Sequence, residues 1–115
     1  MKAVGKNKEE YSMAGKMHIK LINRGEEGEF LLEGRLDSAT APEVEEIILQ
    51  MVDRFDKIIL NMAQLEYISS AGLRILKLLY MALRKKDGEL EIKNANKLVM
   101  EVFEMTGFAG LLTFI

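Results

Sequence analysis

From Met17 the chain alternates loosely between apolar and polar positions, Met17-His18-Ile19-Lys20-Leu21-Ile22, as a half-buried strand does. Arg24-Gly25-Glu26-Glu27-Gly28 is turn chemistry with two permissive glycines, and residues 29–36 (EFLLEGRL) read as a second strand antiparallel to the first. The two are predicted to form a hairpin. Asp37-Ser38-Ala39-Thr40-Ala41-Pro42-Glu43 is the clearest helix start in the chain. Thr40 is the predicted N-cap, Glu43 three residues on completes a capping box, and Pro42 lies in the first turn, where its missing N–H costs nothing. Val44, Ile47, Ile48, Met51 and Phe55 then recur at three- and four-residue spacing, an apolar stripe that must pack on a sheet. Glu43, Glu45 and Glu46 gain from the positive helix end and read as a solvated acidic face.

Residues 57–61 are a short apolar run, the predicted central strand, and a helix begins near Ser70. Leu73, Leu76, Leu79, Tyr80 and Leu83 make one face of it, Ile75, Leu78 and Ala82 widen that face, and Arg74, Lys77, Arg84 and Lys85 leave a narrow basic stripe. Asp87-Gly88 stops the helix. Residues 89–93 alternate as a strand, Asn94-Ala95-Asn96 caps a helix over residues 97–106, and Gly107 ends it. Residues 111–115 are apolar and β-prone, an edge strand or a packed tail. The order is β-β-α-β-α-β-α with a short apolar C-terminal tail, an α/β class domain whose mixed sheet is covered by helices on at least one face. Residues 1–16 are polar, mixed in charge and without apolar periodicity. They are expected to lie outside the fold as a native arm or tag remnant, with Met13 and Met17 as candidate natural starts and the domain spanning 17–115.

Composition narrows the function. A chain of 115 residues, 49% apolar, can bury one core. A net charge of -2 gives no basic footprint, so nucleic acid is not an expected partner. No apolar run approaches the roughly 20 residues that span a bilayer, and the N-terminus lacks a signal's apolar segment, so neither a membrane nor export is expected. The absence of cysteine removes disulfides, thiol nucleophiles and thiolate metal sites and agrees with a cytoplasmic location. The single histidine, His18, reads as structural, since alone it makes neither a metal site nor a partnered base. No Ser-x-x-Lys occurs, and Ser-Ser-Ala-Gly is neither GxxxxGK[ST] nor GxGxxG. The acidic residues have no metal-ligand spacing. No enzyme, cofactor or metal is expected.

What stands out is Ser-Ser-Ala-Gly-Leu-Arg, residues 69–74, at a strand-to-helix junction. Two compatible readings stay open. Ser69 or Ser70 caps the helix, with Gly72 permitting close packing; or an exposed hydroxyl there accepts a phosphoryl group, which the unpaired N–H groups and dipole of a helix start stabilise.

Gly-Arg-Leu-Asp-Ser-Ala-Thr-Ala-Pro-Glu-Val (34–44) followed by Leu-Glu-Tyr-Ile-Ser-Ser-Ala-Gly-Leu-Arg-Ile-Leu (65–76) resembles the STAS domain, specifically the bacterial anti-sigma-factor antagonists. The likeness runs from about Met17 to the C-terminus. It implies a small binding protein, monomeric when free, that sequesters an anti-sigma-factor serine kinase while unphosphorylated and so releases a sigma factor. The kinase then phosphorylates a serine at this junction and ends the complex, and a metal-dependent serine phosphatase restores it. The implied partner-binding residues are Asp37, Ser38, Thr40, Tyr67, Ser69, Ser70, Ala71, Gly72 and Arg74. In the family's common motif Asp precedes the phosphorylated serine and Ser or Thr follows it, then Gly-Leu. Aligning Gly72-Leu73 puts the acceptor at Ser70, with Ser69 where Asp is usual and Ala71 where the second hydroxyl would be, and leaves Ser69 as a rival acceptor. Asn61 stands where the family often has Asp. Arg74, four residues after Ser70, is a candidate phosphate partner and otherwise a solvated cation. The alternative on the same fold is a STAS scaffold or regulatory module that binds another signalling protein, a lipid or a nucleotide without phosphorylation.

Overall fold

The computed structural model describes residues 8–13 and 17–115. Six strands lie in chain order across one sheet: β1 Lys8–Met13, β2 Met17–Arg24, β3 Glu27–Leu36, β4 Lys57–Ile68, β5 Glu89–Lys93 and β6 Thr113–Phe114. β1, β2 and β3 pair antiparallel, and β3 through β6 pair parallel. Each parallel step is a crossover through a helix: α1 Ala41–Gln50, α2 Ser70–Arg84 and α3 Lys97–Thr106. From β2 onward the predicted mixed α/β order is the one adopted, and the apolar tail supplies β6, an edge strand.

Strand alternation divides the sheet into two chemically different faces. Leu21, Phe30, Leu60 and Ile92 stand opposite one another across β2 to β5, and all are buried. The stripes of the helices, among them Val44, Ile48, Leu73, Leu76, Leu79, Val99 and Phe103, join them in one apolar cluster. That cluster holds Ile58 and Leu60 but not Ile59, which points the other way. Gly28 leaves room for the Phe55 ring, since a Cβ there would stand 2.9 Å from it. Phe55 in turn meets Phe30 edge-on with centroids 6.0 Å apart.

On the opposite face the same alternation brings charges together. Arg24 lies 2.8 Å from Glu29, Lys20 3.2 Å from Glu33 and Lys57 3.2 Å from Glu91. Glu29 is buried, with Arg24 on one side, Lys93 at 3.6 Å and an amide hydrogen bond from Asn61 at 2.9 Å. Burial alone would push its carboxyl up, but the Asn61 and Arg24 hydrogen bonds and the Lys93 charge outweigh it and hold the group below the usual carboxylate range.

Two expectations need correction. Lys8–Met13 is not outside the fold: it pairs along β2, with Tyr11 opposite Ile19, and Tyr11 packs against the core. Residues 1–7 and 14–16 of the expected extension fall outside the described residues. The central strand also does not end at Asn61. It runs on to Ile68, and its register against β3 shifts twice, between Leu31 and Glu33 and between Gly34 and Arg35, each time with one extra residue on β4. Such bulges reset the two-residue period, so Met62, Leu65 and Ile68 are buried at a spacing of three.

Candidate functional site

β3 and β4 end side by side, Arg35 opposite Tyr67 and Leu36 opposite Ile68. The Ser69 N–H still donates to Leu36 O at 2.9 Å, so the chain stays tied to β3 for one residue past the strand. Ser69 is extended (φ -99°, ψ 177°) and is the N-cap of α2, its Oγ accepting from the Gly72 N–H at a long 3.4 Å. Ser70 is therefore the first helical residue, and it is exposed, whereas Ser69 is half-buried. Gly72 seats the first turn on the sheet: a Cβ there would lie 2.8 Å from side-chain atoms of both Ile68 and Leu36 and 3.1 Å from Leu36 O.

The neighbouring β3–α1 loop is built from the other half of the motif. Asp37 Oδ1 accepts from the Ala39 and Thr40 N–H groups at 3.0 and 3.2 Å. The Thr40 N–H first, and then that of Ala39 with the charge of Arg35, hold the Asp37 carboxyl below its ordinary range. Thr40 lies at the N-cap position, but the predicted capping box is not formed. The Thr40 hydroxyl donates to Arg35 O at 2.7 Å and accepts from the Asp37 N–H at 3.1 Å, so it closes the loop instead of capping the helix. Thr40 is also fully buried. Its expected place on a partner-binding surface is corrected accordingly: it shapes the loop and has no face for a partner.

Of the other residues singled out in the sequence, Ser38, Tyr67, Ser70 and Arg74 are exposed, Asp37, Ser69 and Ala71 are half-buried, and Gly72 is buried. Two residues outside the predicted site connect them, one of them Glu45 of the acidic face read as solvated. Arg35 stacks over the Tyr67 ring at 4.6 Å and lies 3.7 Å from Asp37, joining the loop to the segment before Ser69. Glu45 of α1 holds Arg74 at 2.8 Å, joining α1 to α2. Arg35 sits inside the 34–44 motif, whereas nothing in the sequence links Glu45 to a residue 29 positions away. Asn61 belongs elsewhere, its amide serving Glu29 and its Oδ1 accepting from the Ala63 N–H at 3.1 Å.

The arrangement presents a hydroxyl at the positive end of a fifteen-residue helix, with two cations nearby, each already facing a carboxylate. Among the described residues no group of three or more His, Asp or Glu is arranged to hold a metal ion. No helix among them is long and apolar enough to cross a membrane. A cavity of about 150 Å³ lies at the other end of α2, lined by Tyr80, Arg84, Glu89 and Leu111 among others, and shares no residue with the motif.

The STAS domain family model matches residues 20–115. BtrV of Bordetella bronchiseptica is 38% identical over 81 residues, 70% of each chain. The anti-sigma-B factor antagonist of Staphylococcus aureus is 34% identical over 80 residues, 69% of this chain and 74% of its own. Among solved structures, an anti-sigma factor antagonist from Mycobacterium paratuberculosis superposes with a TM-score of 0.78 at 21% identity, covering 90% of this chain and 89% of that one. The Bacillus cell fate determinant SpoIIAA in its phosphorylated form gives a TM-score of 0.68 at 19% identity, covering 84% and 90%.

Proposed function

The chain belongs to the STAS domain family and, within it, to the anti-sigma factor antagonists, and from that premise we propose that it is a phosphorylation-controlled binding protein whose acceptor is Ser70. Unphosphorylated, it docks an anti-sigma-factor serine kinase in the cytoplasm through the exposed residues around the α2 start: Ser38, Tyr67, Ser70 and the half-buried Asp37 and Ala71 beside them. The kinase transfers the γ-phosphoryl group of ATP to the Ser70 oxygen, the hydroxyl proton departs and ADP leaves. A serine phosphatase reverses the state by hydrolysis.

The observation that carries the reading is the division of labour between the two serines. Ser69 is occupied as a cap, while Ser70 is exposed as the first residue of α2. A dianion at that end is favoured by the helix, so the fold need not change. Release then comes from the partner, whose groove fits a neutral hydroxyl and would have to desolvate the added charge. A loss of about 3 kcal/mol weakens binding roughly a hundredfold.

The test is phosphopeptide mapping of the protein purified from its host, alongside Ser70→Ala and Ser69→Ala. The parent and Ser69→Ala should carry one phosphoryl group and Ser70→Ala none. Phosphate retained in Ser70→Ala moves the acceptor to Ser69, and a parent that never carries phosphate favours the scaffold alternative.

A further inference from the structure

Arg74 already holds an anion. Its Nη2 lies 2.8 Å from Glu45 Oε1, the contact that ties the exposed side of α2 to α1. It also stands one helical turn beyond Ser70, the exposed first residue of α2. Residues four apart on a helix have Cβ atoms about 5–6 Å from each other, and an anion N-terminal to its cation is the favourable order. A phosphate on Ser70 would therefore find a guanidinium within reach whose present partner is a single carboxylate.

The two anions are unequal rivals. The phosphate carries about -1.5 to -2 charges and three acceptor oxygens, which suit the guanidinium fork, and it sits at the positive end of the same helix. Glu45 brings one charge from a different helix, and Arg74 is 62% exposed in this pair, so water screens the attraction. Arg35, the other cation at the junction, stacks on Tyr67 and faces Asp37. We infer that phosphorylation of Ser70 makes Arg74 exchange Glu45 for the phosphate. The inference rests on Ser70 as the acceptor proposed above. Its consequence is that the modification reaches α1: a neutral Arg74–Glu45 pair beside a neutral hydroxyl becomes an anionic patch, with Glu45 left unpaired next to it.

The experiment places phosphoserine at position 70 of the whole chain by genetic encoding and follows its second ionisation by phosphorus NMR, with amide spectra confirming that each variant is folded. In the parent the phosphate should titrate below the ordinary value near 6. Arg74→Gln should raise it by about half a pH unit. Glu45→Gln, which removes the competitor, should lower it further, and Arg84→Gln at the far end of α2 should leave it where it was. The exchange is overturned if Arg74→Gln or Glu45→Gln titrates with the parent, or if Arg84→Gln moves it as much as Arg74→Gln. Because the phosphate is installed without a kinase, these outcomes are separate from the mapping that tests the acceptor in the host.

Discussion

Arg54 grips Glu9 with both arms of its guanidinium, Nη1 at 3.0 Å from Oε1 and Nη2 at 2.7 Å from Oε2, across 45 residues of chain. The pair fastens β1, which precedes the region matched by the family model, to the end of the short 3-10 helix Met51–Asp53 that follows α1. The Arg54 hydrogen bond pulls the Glu9 carboxyl below its ordinary range, burial opposes this, and the Tyr11 hydroxyl donating at 2.7 Å helps.

A carboxyl held low in the folded state stabilises the fold above its unfolded value, and the contribution is lost as pH falls through the folded one. Glu9→Gln should therefore cost about 0.5–1 kcal/mol near neutral pH, the range for a forked but solvent-screened pair. The variant and parent should converge on acidification. Urea unfolding at neutral and acidic pH reads both, and equal stability at neutral pH would show that the fork contributes nothing.

Gly72→Ala sets two effects against each other. Alanine is the better helix former by about 1 kcal/mol. The new methyl, however, would press on Leu36 and Ile68 at 2.8 Å and on the Leu36 carbonyl at 3.1 Å, and a strand backbone cannot step aside as a side-chain tip can. Overpacking of this kind costs about 1–3 kcal/mol, so the melting temperature should fall. A variant that melts at or above the parent would mean that α2 shifts freely on the sheet.

Asn61→Asp tests the polar face. The Asn61 amide donates to Glu29 at 2.9 Å, and the substitution replaces that donor by a second carboxylate against a buried one. Arg24 and Lys93 limit the repulsion, and the expected loss near neutral pH is about 1–3 kcal/mol. The pair's proton affinity would rise above that of the unfolded chain, so the penalty should be present at neutral pH and shrink on acidification. Melting temperature against pH measures this. A deficit that does not narrow in acid would point to lost packing instead of charge. The chain thus has a local reason for Asn where the related motif often has Asp.

What could be read from the sequence follows from how far apart the cooperating residues are. The β2–β3 hairpin, the three helices and the caps at Asn96 and Gly107 rest on periods and neighbours within a few positions, and all are present. β1 was not legible because Tyr11 is the one described side chain it sets into the core, and its other ties, Glu9 to Arg54 and Glu10 to His18 at 3.1 Å, join distant positions or polar residues. The second half of β4 was hidden by two bulges that break its alternation. At the site, the strand-to-helix junction was legible, but which of its two serines caps and which is exposed was not, and neither was the burial of Thr40, whose hydroxyl is satisfied by a loop whose shape no spacing encodes.

The adjacent serines give the sharpest prediction, because stability and recognition should part between them. Ser69→Ala removes the cap hydrogen bond to the Gly72 N–H, which at 3.4 Å is weak, so the loss should lie near the lower end of the usual range, about 0.5–1 kcal/mol. Ser70→Ala removes an exposed hydroxyl from a first-turn position where alanine is well tolerated, so thermal stability should stay within about 0.5 kcal/mol of the parent. Ser70→Asp adds charge at the favourable end of α2 and should melt no lower than the parent, yet bind the kinase about a hundredfold more weakly. Calorimetric unfolding and titration of the kinase with each variant give the two quantities independently. A Ser70→Asp protein that binds as tightly as the parent ends the charge-switch reading. One that binds weakly because it has partly unfolded would remove the distinction between cap and acceptor, since the reading requires the added charge to act on the partner while α2 keeps its place.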